Sequence, residues 1–94
     1  MSTDLLSPLL ASALELHPQV ALRPEPFGAL AYHYGNRRLV FLKHPDMVRV
    51  AETLAHHPSL HATLEACDIA PHRWPSFERA IASTMGAKSV LRDL

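Results

Sequence analysis

The sequence predicts an α+β domain in which a three-stranded antiparallel sheet precedes three helices, a winged-helix-like fold with a short N-terminal helical extension. Two observations lead to this class. Apolar residues alternate up to about residue 42 and then recur with a helical period, and Gly35-Asn36 separates two strand-like runs. A chain of 94 residues with 48% hydrophobic and 19% charged residues also has the composition of a single globular domain.

The N-terminal extension is predicted as a short helix over residues 7–16. Ser7 suits the N-cap, Pro8 suits the first turn, and the leucines that follow keep helical spacing. Because a leucine-rich segment would otherwise leave an apolar patch exposed, we expect it to dock on its own domain or on a second copy. The chain is therefore divided into an extension at 1–17, a core domain at 18–86 and a weakly determined tail at 87–94.

The strongest local signal is a β-hairpin with strands at residues 29–34 and 37–42, joined by Gly35-Asn36 as a two-residue turn. This turn sets the register, and one side of the hairpin then has the larger and more apolar residues. The facing pairs on that side are Leu30 with Phe41 and Tyr32 with Leu39. We therefore expect this side to face the core and the side with Val40 to be more open.

A short outer strand and three helices complete the predicted fold. The strand lies at residues 19–23 and ends at Pro24, which has no N–H to donate to a ladder. The helices begin at Pro45, after Ser59 as N-cap, and at Trp74. The predicted core contains Leu30, Tyr32, Leu39, Phe41, Val48, Ala51, Leu54, Leu64, Phe77 and Ile81. If Phe41 lies in the core as predicted, Phe41→Ala lowers the free energy of unfolding by roughly 3–5 kcal/mol.

Charge and composition exclude several classes of partner. Nine Lys and Arg balance nine Asp and Glu, which leaves no net positive field to attract nucleic acid or an anionic membrane. No apolar run approaches the ~20 residues needed to cross a bilayer, and no basic stretch marks a secretory signal. A single cysteine, Cys67, cannot form an internal disulfide. We therefore expect a reducing, cytoplasmic location and neither nucleic acid nor membrane as partner.

The residues that carry catalysis or bind metals are poorly spaced in this chain. His57 and His61 are four residues apart, yet Pro58 between them interrupts the helical face that a metal site would need. Cys67 has no local partner and is typical of a small buried residue. The three glycines are too far apart to form a phosphate-binding loop. The sequence therefore predicts a protein that is not an enzyme, with no catalytic residue, no metal and no cofactor.

A small winged-helix DNA-binding protein is the alternative interpretation of the same pattern. Arg37, Arg38 and Lys43 on the hairpin have the charge to contact phosphates. The third helix weakens this interpretation, because its surface mixes Arg73 with Glu78 and offers only a thin basic face. Salt-sensitive binding to duplex DNA would distinguish this alternative.

A denser signal lies in residues 16–43. It contains Arg-Pro-Glu-Pro-Phe-Gly at 23–28, Tyr-His-Tyr-Gly at 32–35 and Phe-Leu-Lys at 41–43. This stretch resembles the mycofactocin biosynthesis chaperones of actinobacteria, within the small precursor-peptide recognition proteins that include the pyrroloquinoline quinone biosynthesis chaperone. The likeness covers about a third of the chain, and the helices match it in pattern only.

The resemblance implies a non-catalytic adaptor. Such chaperones bind a ribosomally made precursor peptide and present it to a radical S-adenosylmethionine maturase, which carries the iron–sulfur clusters and modifies the C-terminal residues of the peptide. The domain at 18–86 would then be a peptide-recognition domain. The chain itself would bind no cofactor, and a homodimer is left open.

The candidate peptide-binding site lies between the third strand and the third helix. In the predicted meander the outer side of the third strand is unpaired, so its N–H and C=O groups can accept an added strand. The resemblance implies that the peptide lies between this strand and the third helix, with Arg38 and Lys43 against its acidic residues. Arg38→Glu and Ile81→Asp are expected to weaken binding. The candidate binding residues are Arg37, Arg38, Leu39, Val40, Phe41, Leu42, Lys43, Phe77 and Ile81.

Overall fold

The computed structural model describes residues 8–85 and 89–94, and it confirms the α+β class with a three-stranded antiparallel sheet and helices. Ser7, the predicted N-cap, and Gly86, the last residue of the predicted core domain, lie outside the described residues. The helices are α1 (Pro8–Ala11), α2 (Pro45–Thr53), α3 (Leu60–Ala66) and α4 (Trp74–Thr84), with 3₁₀ turns at Leu54–His56 and Pro71–Arg73. The strands are β1 (Leu14–Leu16), β2 (Val20–Glu25), β3 (Gly28–His33), β4 (Leu39–Leu42) and β5 (Leu91–Asp93). Within the described ranges no helix is long and apolar enough to cross a bilayer.

The segments near the two ends of the chain differ from the predicted helix and weakly determined tail, because β1 and β5 pair with each other. The N-terminal helix ends at Ala11, and β1 forms an antiparallel ladder with β5, with Leu16 opposite Leu91. The pattern Leu14-Glu15-Leu16 has the period of two that a strand requires, and Leu14 is fully buried. The described part of the extension therefore docks on its own domain, and the end of the C-terminal tail forms a strand.

The hairpin register is confirmed, but the side that faces the core is the opposite of the predicted one. Leu30 pairs with Phe41, and Tyr32 pairs with Leu39. Leu39 is nevertheless 64% exposed and Phe41 is 42% exposed, whereas Ala31 is fully buried. On β3 the inner side carries the small residues Ala29 and Ala31, and most of the bulky residues of the core come from the helices. The larger apolar set is therefore left on the outer side of the sheet.

The connection between β3 and β4 is longer than the predicted two-residue turn. Arg37, rather than Gly35 or Asn36, takes the left-handed conformation, with φ at 65°, and its N–H donates to the His33 carbonyl at 2.8 Å. The buried ring of His33 also accepts the N–H groups of Gly35 and Asn36 at Nδ1, at 2.9 and 3.2 Å. The histidine side chain thus stabilises a wider turn.

The core lies between the inner side of the three-stranded sheet and the helices. Of the predicted core residues other than the two exposed ones, most are confirmed as buried: these are Ala51, Leu54, Leu64, Phe77 and Ile81. Leu30, Tyr32 and Val48 are only half-buried. Side-chain caps begin two of the helices, because His44 Nδ1 accepts from the Asp46 N–H at the start of α2 and Ser59 Oγ accepts from the Ala62 N–H at the start of α3.

Candidate functional site

A groove runs between β4 and α4, with a volume of about 460 Å³. Its floor and walls come from β4, the start of α2 and one face of α4, and they are mainly apolar. The lining residues are Val40, Phe41, Leu42, Lys43, His44, Met47, Arg73, Ser76, Phe77, Ala80, Ser83 and Thr84. Both walls belong to elements anchored in the core, so the groove is preformed.

An ion-paired arginine fixes one end of the groove. Arg73 Nη1 donates to Asp46 Oδ2 at 3.0 Å, and the guanidinium lies 5.3 Å from the centre of the Phe77 ring. Arg49 Nη1 lies 3.1 Å from the other carboxylate oxygen of Asp46. The hydrogen bond from Arg73 lowers the pKa of Asp46, and the positive charges of Arg49 and His44 add to this effect while burial opposes it. The network holds the start of α4 against the start of α2.

Stability that depends on Asp46 is expected to be lost at acid pH. Because the pKa of Asp46 is lowered from its ordinary value of 3.8, the unfolded chain binds this proton more readily than the folded chain. The contribution is complete above the ordinary value and disappears as pH falls through the lowered pKa. Asp46→Asn should therefore lower the melting temperature at pH 7 and flatten its decline between about pH 5 and pH 2, followed by circular dichroism.

The exposed carboxylate of Asp68 supplies the matched control for this experiment. Asp68 has a left-handed backbone with φ at 62°, a conformation that asparagine also tolerates, so Asp68→Asn should leave the profile unchanged. Parallel profiles for Asp46→Asn and the parent would contradict the assigned role of the Asp46 and Arg73 pair.

Among the described residues no strand pairs with the outer side of β4, which is one edge of the three-stranded sheet. The His33 N–H donates to the Arg38 carbonyl at 3.0 Å, which makes these two residues a hydrogen-bonded pair at the end of the ladder. Such pairs alternate along antiparallel strands, so the N–H and C=O groups of Leu39 and Phe41 point away from β3. The Phe41 groups lie at the groove and the Leu39 groups continue the same edge toward the hairpin end, so an extended chain can pair with both.

β2 is the other edge of the sheet, and among its outward positions only Leu22 has an N–H group left for an added strand. The Tyr34 N–H donates to the Gln19 carbonyl at 2.8 Å, so by the same alternation the nitrogens of Val20, Leu22 and Pro24 are on the outer side. The Val20 N–H donates to the His17 carbonyl at 2.9 Å, and Pro24 has no N–H. Strand addition is therefore favoured at β4 over β2.

The structure brings together part of the predicted binding set. Val40, Phe41, Leu42, Lys43 and Phe77 line the groove. Arg37, Arg38 and Leu39 lie at the hairpin end, beyond the lining, and Leu39 presents its backbone to the open edge. Ile81 is fully buried and does not line the groove, so its side chain has no surface to offer a peptide.

Sequence reasoning missed the rest of the lining. Ser76, Ala80, Ser83 and Thr84 follow the spacing of one helical face together with Phe77, and this spacing was available as a signal. The other missed residues, which lie outside α4, are placed at the groove only by the packing of the helices on the sheet: these are His44, Met47 and Arg73.

The structure gives little support to other kinds of site. Within the described part of the chain, no three His, Cys, Asp or Glu side chains are grouped to hold a metal ion. Cys67 Sγ lies 3.6 Å from Thr53 Oγ1. Arg73, which the DNA-binding interpretation assigned to a recognition face, is paired with Asp46 instead.

An open strand edge beside an apolar, helix-lined groove is the arrangement found in small peptide-binding domains. Comparison with known proteins then places this chain: residues 13–91 match the peptide chaperone MftB family, and the chain belongs to that family. The predicted resemblance to mycofactocin biosynthesis chaperones is thereby confirmed. The wider relation to the pyrroloquinoline quinone chaperone stays a prediction.

Three similar curated proteins carry the name peptide chaperone MftB. The chain is 50% identical over 62 residues to the Mycobacterium tuberculosis protein, 47% over 66 residues to that of Mycolicibacterium smegmatis and 40% over 72 residues to that of Mycobacterium ulcerans. The matches cover 61%, 70% and 77% of this chain and 57%, 65% and 66% of the relatives. The chain thus spans less than two thirds of the length of these relatives. No solved structure gives a significant match.

Proposed function

We propose that this protein is a non-catalytic peptide chaperone of mycofactocin biosynthesis, which binds a ribosomally made precursor peptide and presents it to a radical S-adenosylmethionine maturase. The observation that carries the proposal is the open edge of β4 alongside the apolar groove. Membership of the peptide chaperone MftB family supports a peptide as the ligand.

In this proposal the peptide adds as a fourth strand next to β4. Its backbone pairs with the outward N–H and C=O groups of Leu39 and Phe41, which supplies affinity without regard to sequence. Alternate side chains of the added strand then point into the groove, toward Phe77 and Ala80. Lys43, exposed at the rim, and Arg38, at the hairpin end, provide positive charge for acidic peptide residues. Specificity therefore comes from side chains on both walls.

The division of labour assigns the chemistry to the maturase. This chain offers one cysteine, Cys67, whereas the iron–sulfur clusters of a radical enzyme are held by several. The chaperone contributes by holding the peptide extended and raising its effective concentration at the enzyme. A cytoplasmic location belongs to the same proposal.

Isothermal titration with the precursor peptide of the same gene cluster tests the strand addition. Leu39→Pro removes one outward N–H at an edge position where proline is tolerated, so the fold should persist while the peptide binds at least tenfold more weakly. Leu39→Ala is the matched control, because it removes the same side chain and keeps the N–H. Equal affinity of the proline and alanine variants would rule out backbone pairing at this edge.

A second pair of variants tests the helix wall of the groove. Ala80 lines the groove and Ala82 is exposed on α4 outside it. Ala80→Glu places a carboxylate in the apolar groove and is expected to weaken peptide binding at least tenfold. Ala82→Glu adds the same charge to the same helix and should leave the affinity unchanged. If both variants bind as the parent does, the groove between β4 and α4 is not the peptide site.

A further inference from the structure

The outer face of the sheet, formed by Ala21, Arg23, Leu30, Tyr32, Leu39 and Phe41, carries exposed apolar side chains that the peptide groove does not explain. The strand register arranges these residues in two cross-strand rows, one through Leu30 and one through Tyr32. Leu39 and Phe41 are substantially exposed, and Tyr34 beside them is 61% exposed. Small proteins seldom expose contiguous large apolar side chains unless the surface binds a partner.

The outer face also has a concave region into which a side chain of a partner could dock. A cleft of about 410 Å³ opens on it, lined by residues from all three strands. The Tyr34 ring packs edge-on against the Tyr32 ring, with 4.9 Å between ring centres, and forms one wall of the cleft. Arg23 forms another part of the lining, and its side chain is 73% exposed while it pairs with Glu25. A pocket with aromatic and arginine walls is typical of the centre of a protein interface.

The charge around the outer face indicates whether a second copy of this chain or a different protein docks there. On the outer face Arg23 is paired with Glu25, so the net positive charge of the segment 20–42, which contains the three strands, comes from the exposed Arg37 and Arg38 at the adjoining hairpin end, in a chain whose net charge is zero. A symmetric dimer through this face would place two such segments against each other, and like charges oppose that arrangement. An acidic partner surface is favoured instead.

We infer that the outer face is a docking surface for a folded protein whose contact area is apolar at its centre and acidic at its rim. The inference rests on the proposed function, in which that protein is the maturase. A peptide strand added at β4 continues the same sheet, so alternate peptide side chains lie on the outer side beside Leu39 and Phe41. A protein docked here contacts the chaperone and the bound peptide together.

The test measures binding of the purified maturase, with its clusters intact, to the peptide-loaded chaperone by biolayer interferometry. Ala21 is exposed on β2, on the far side of the sheet from the peptide edge, so changes there leave the groove intact. Ala21→Glu should weaken maturase binding at least tenfold, and Ala21→Lys, of similar size and opposite charge, should weaken it much less. Ala55→Glu, an exposed change in the 3₁₀ turn Leu54–His56, is the distant control and should have no effect.

Peptide titration and sedimentation of each variant separate the outcomes. Loss of maturase binding by Ala21→Glu with unchanged peptide affinity supports the docking surface. Parent-like maturase binding by Ala21→Glu, or equal losses for the glutamate and lysine variants, overturns it and leaves the proposed peptide binding standing. A parent dimer that Ala21→Glu converts to a monomer would assign the face to a second copy. If the parent binds peptide but no maturase, both the delivery step and the docking surface are wrong.

Discussion

Gly28→Ala is expected to destabilise the domain by about 3 kcal/mol or more, because the backbone of β4 passes directly over this glycine. A Cβ atom at Gly28 would lie 1.8 Å from the Leu42 carbonyl oxygen and 3.1 Å from the Lys43 carbonyl carbon. Both obstacles are backbone atoms, so relief requires β4 to move relative to β3. Since a domain of this size has a total stability of roughly 5 kcal/mol, urea denaturation should show a variant close to unfolding.

Gly35→Ala provides the matched control for this prediction. The nearest atoms to a Cβ at Gly35 belong to the side chains of Gln19 and His33, at 2.4 and 2.8 Å. The exposed Gln19 side chain can turn away and only the buried His33 ring has to shift, without any movement of the strand backbone, so we expect a smaller cost of about 1–2 kcal/mol. If Gly28→Ala unfolds at the same urea concentration as Gly35→Ala, the close approach of β4 to Gly28 is wrong.

Ile81→Ala is the second change with a large expected effect, at about 2–5 kcal/mol, because Ile81 is fully buried and its loss leaves a cavity. Phe41→Ala removes more atoms but should cost less than about 1 kcal/mol, since the ring is on the outer side of the sheet. Chemical denaturation of the two variants measures the difference directly. The opposite ranking would show that Phe41, as the hydrophobic pattern predicts, faces the core.

Because Ile81 is buried, Ile81→Asp is not a suitable variant for testing the peptide site. Ile81→Asp would place a charge in the core and unfold the domain, so lost binding by that variant would carry no information about the groove. Ala80, the residue before it, lines the groove and is the better position on α4.

Local signals predicted the parts of the fold that local interactions determine. The hairpin register follows from two alternating runs close in sequence, and Phe77 and Ile81 of the third helix follow from helical spacing. The choice of hairpin side depends on what covers the sheet. Side-chain size suggested Leu39 and Phe41 for the core, but the helices already fill that space.

Contacts between residues far apart in sequence could not be predicted from the local hydrophobic pattern. Glu15 and Arg92 form an ion pair at 2.7 Å across 77 positions of sequence, and this pair joins the two terminal strands. Asp46 and Arg73 meet in the same way, and their contact fixes one end of the groove. The strand side of the candidate site was therefore predicted, whereas the charged end was found only in the folded chain.

Amide hydrogen exchange, followed by NMR with and without the precursor peptide, tests the addition of a peptide strand to β4 most directly. In the free protein the Leu39 and Phe41 amides point to the open edge and should exchange quickly, whereas the Val40 and Leu42 amides are already bonded to β3. Saturating peptide should slow exchange at Leu39 and Phe41 at least tenfold and change Val40 and Leu42 much less. Peptide binding that leaves the Leu39 and Phe41 amides exchanging as before would contradict strand addition at β4.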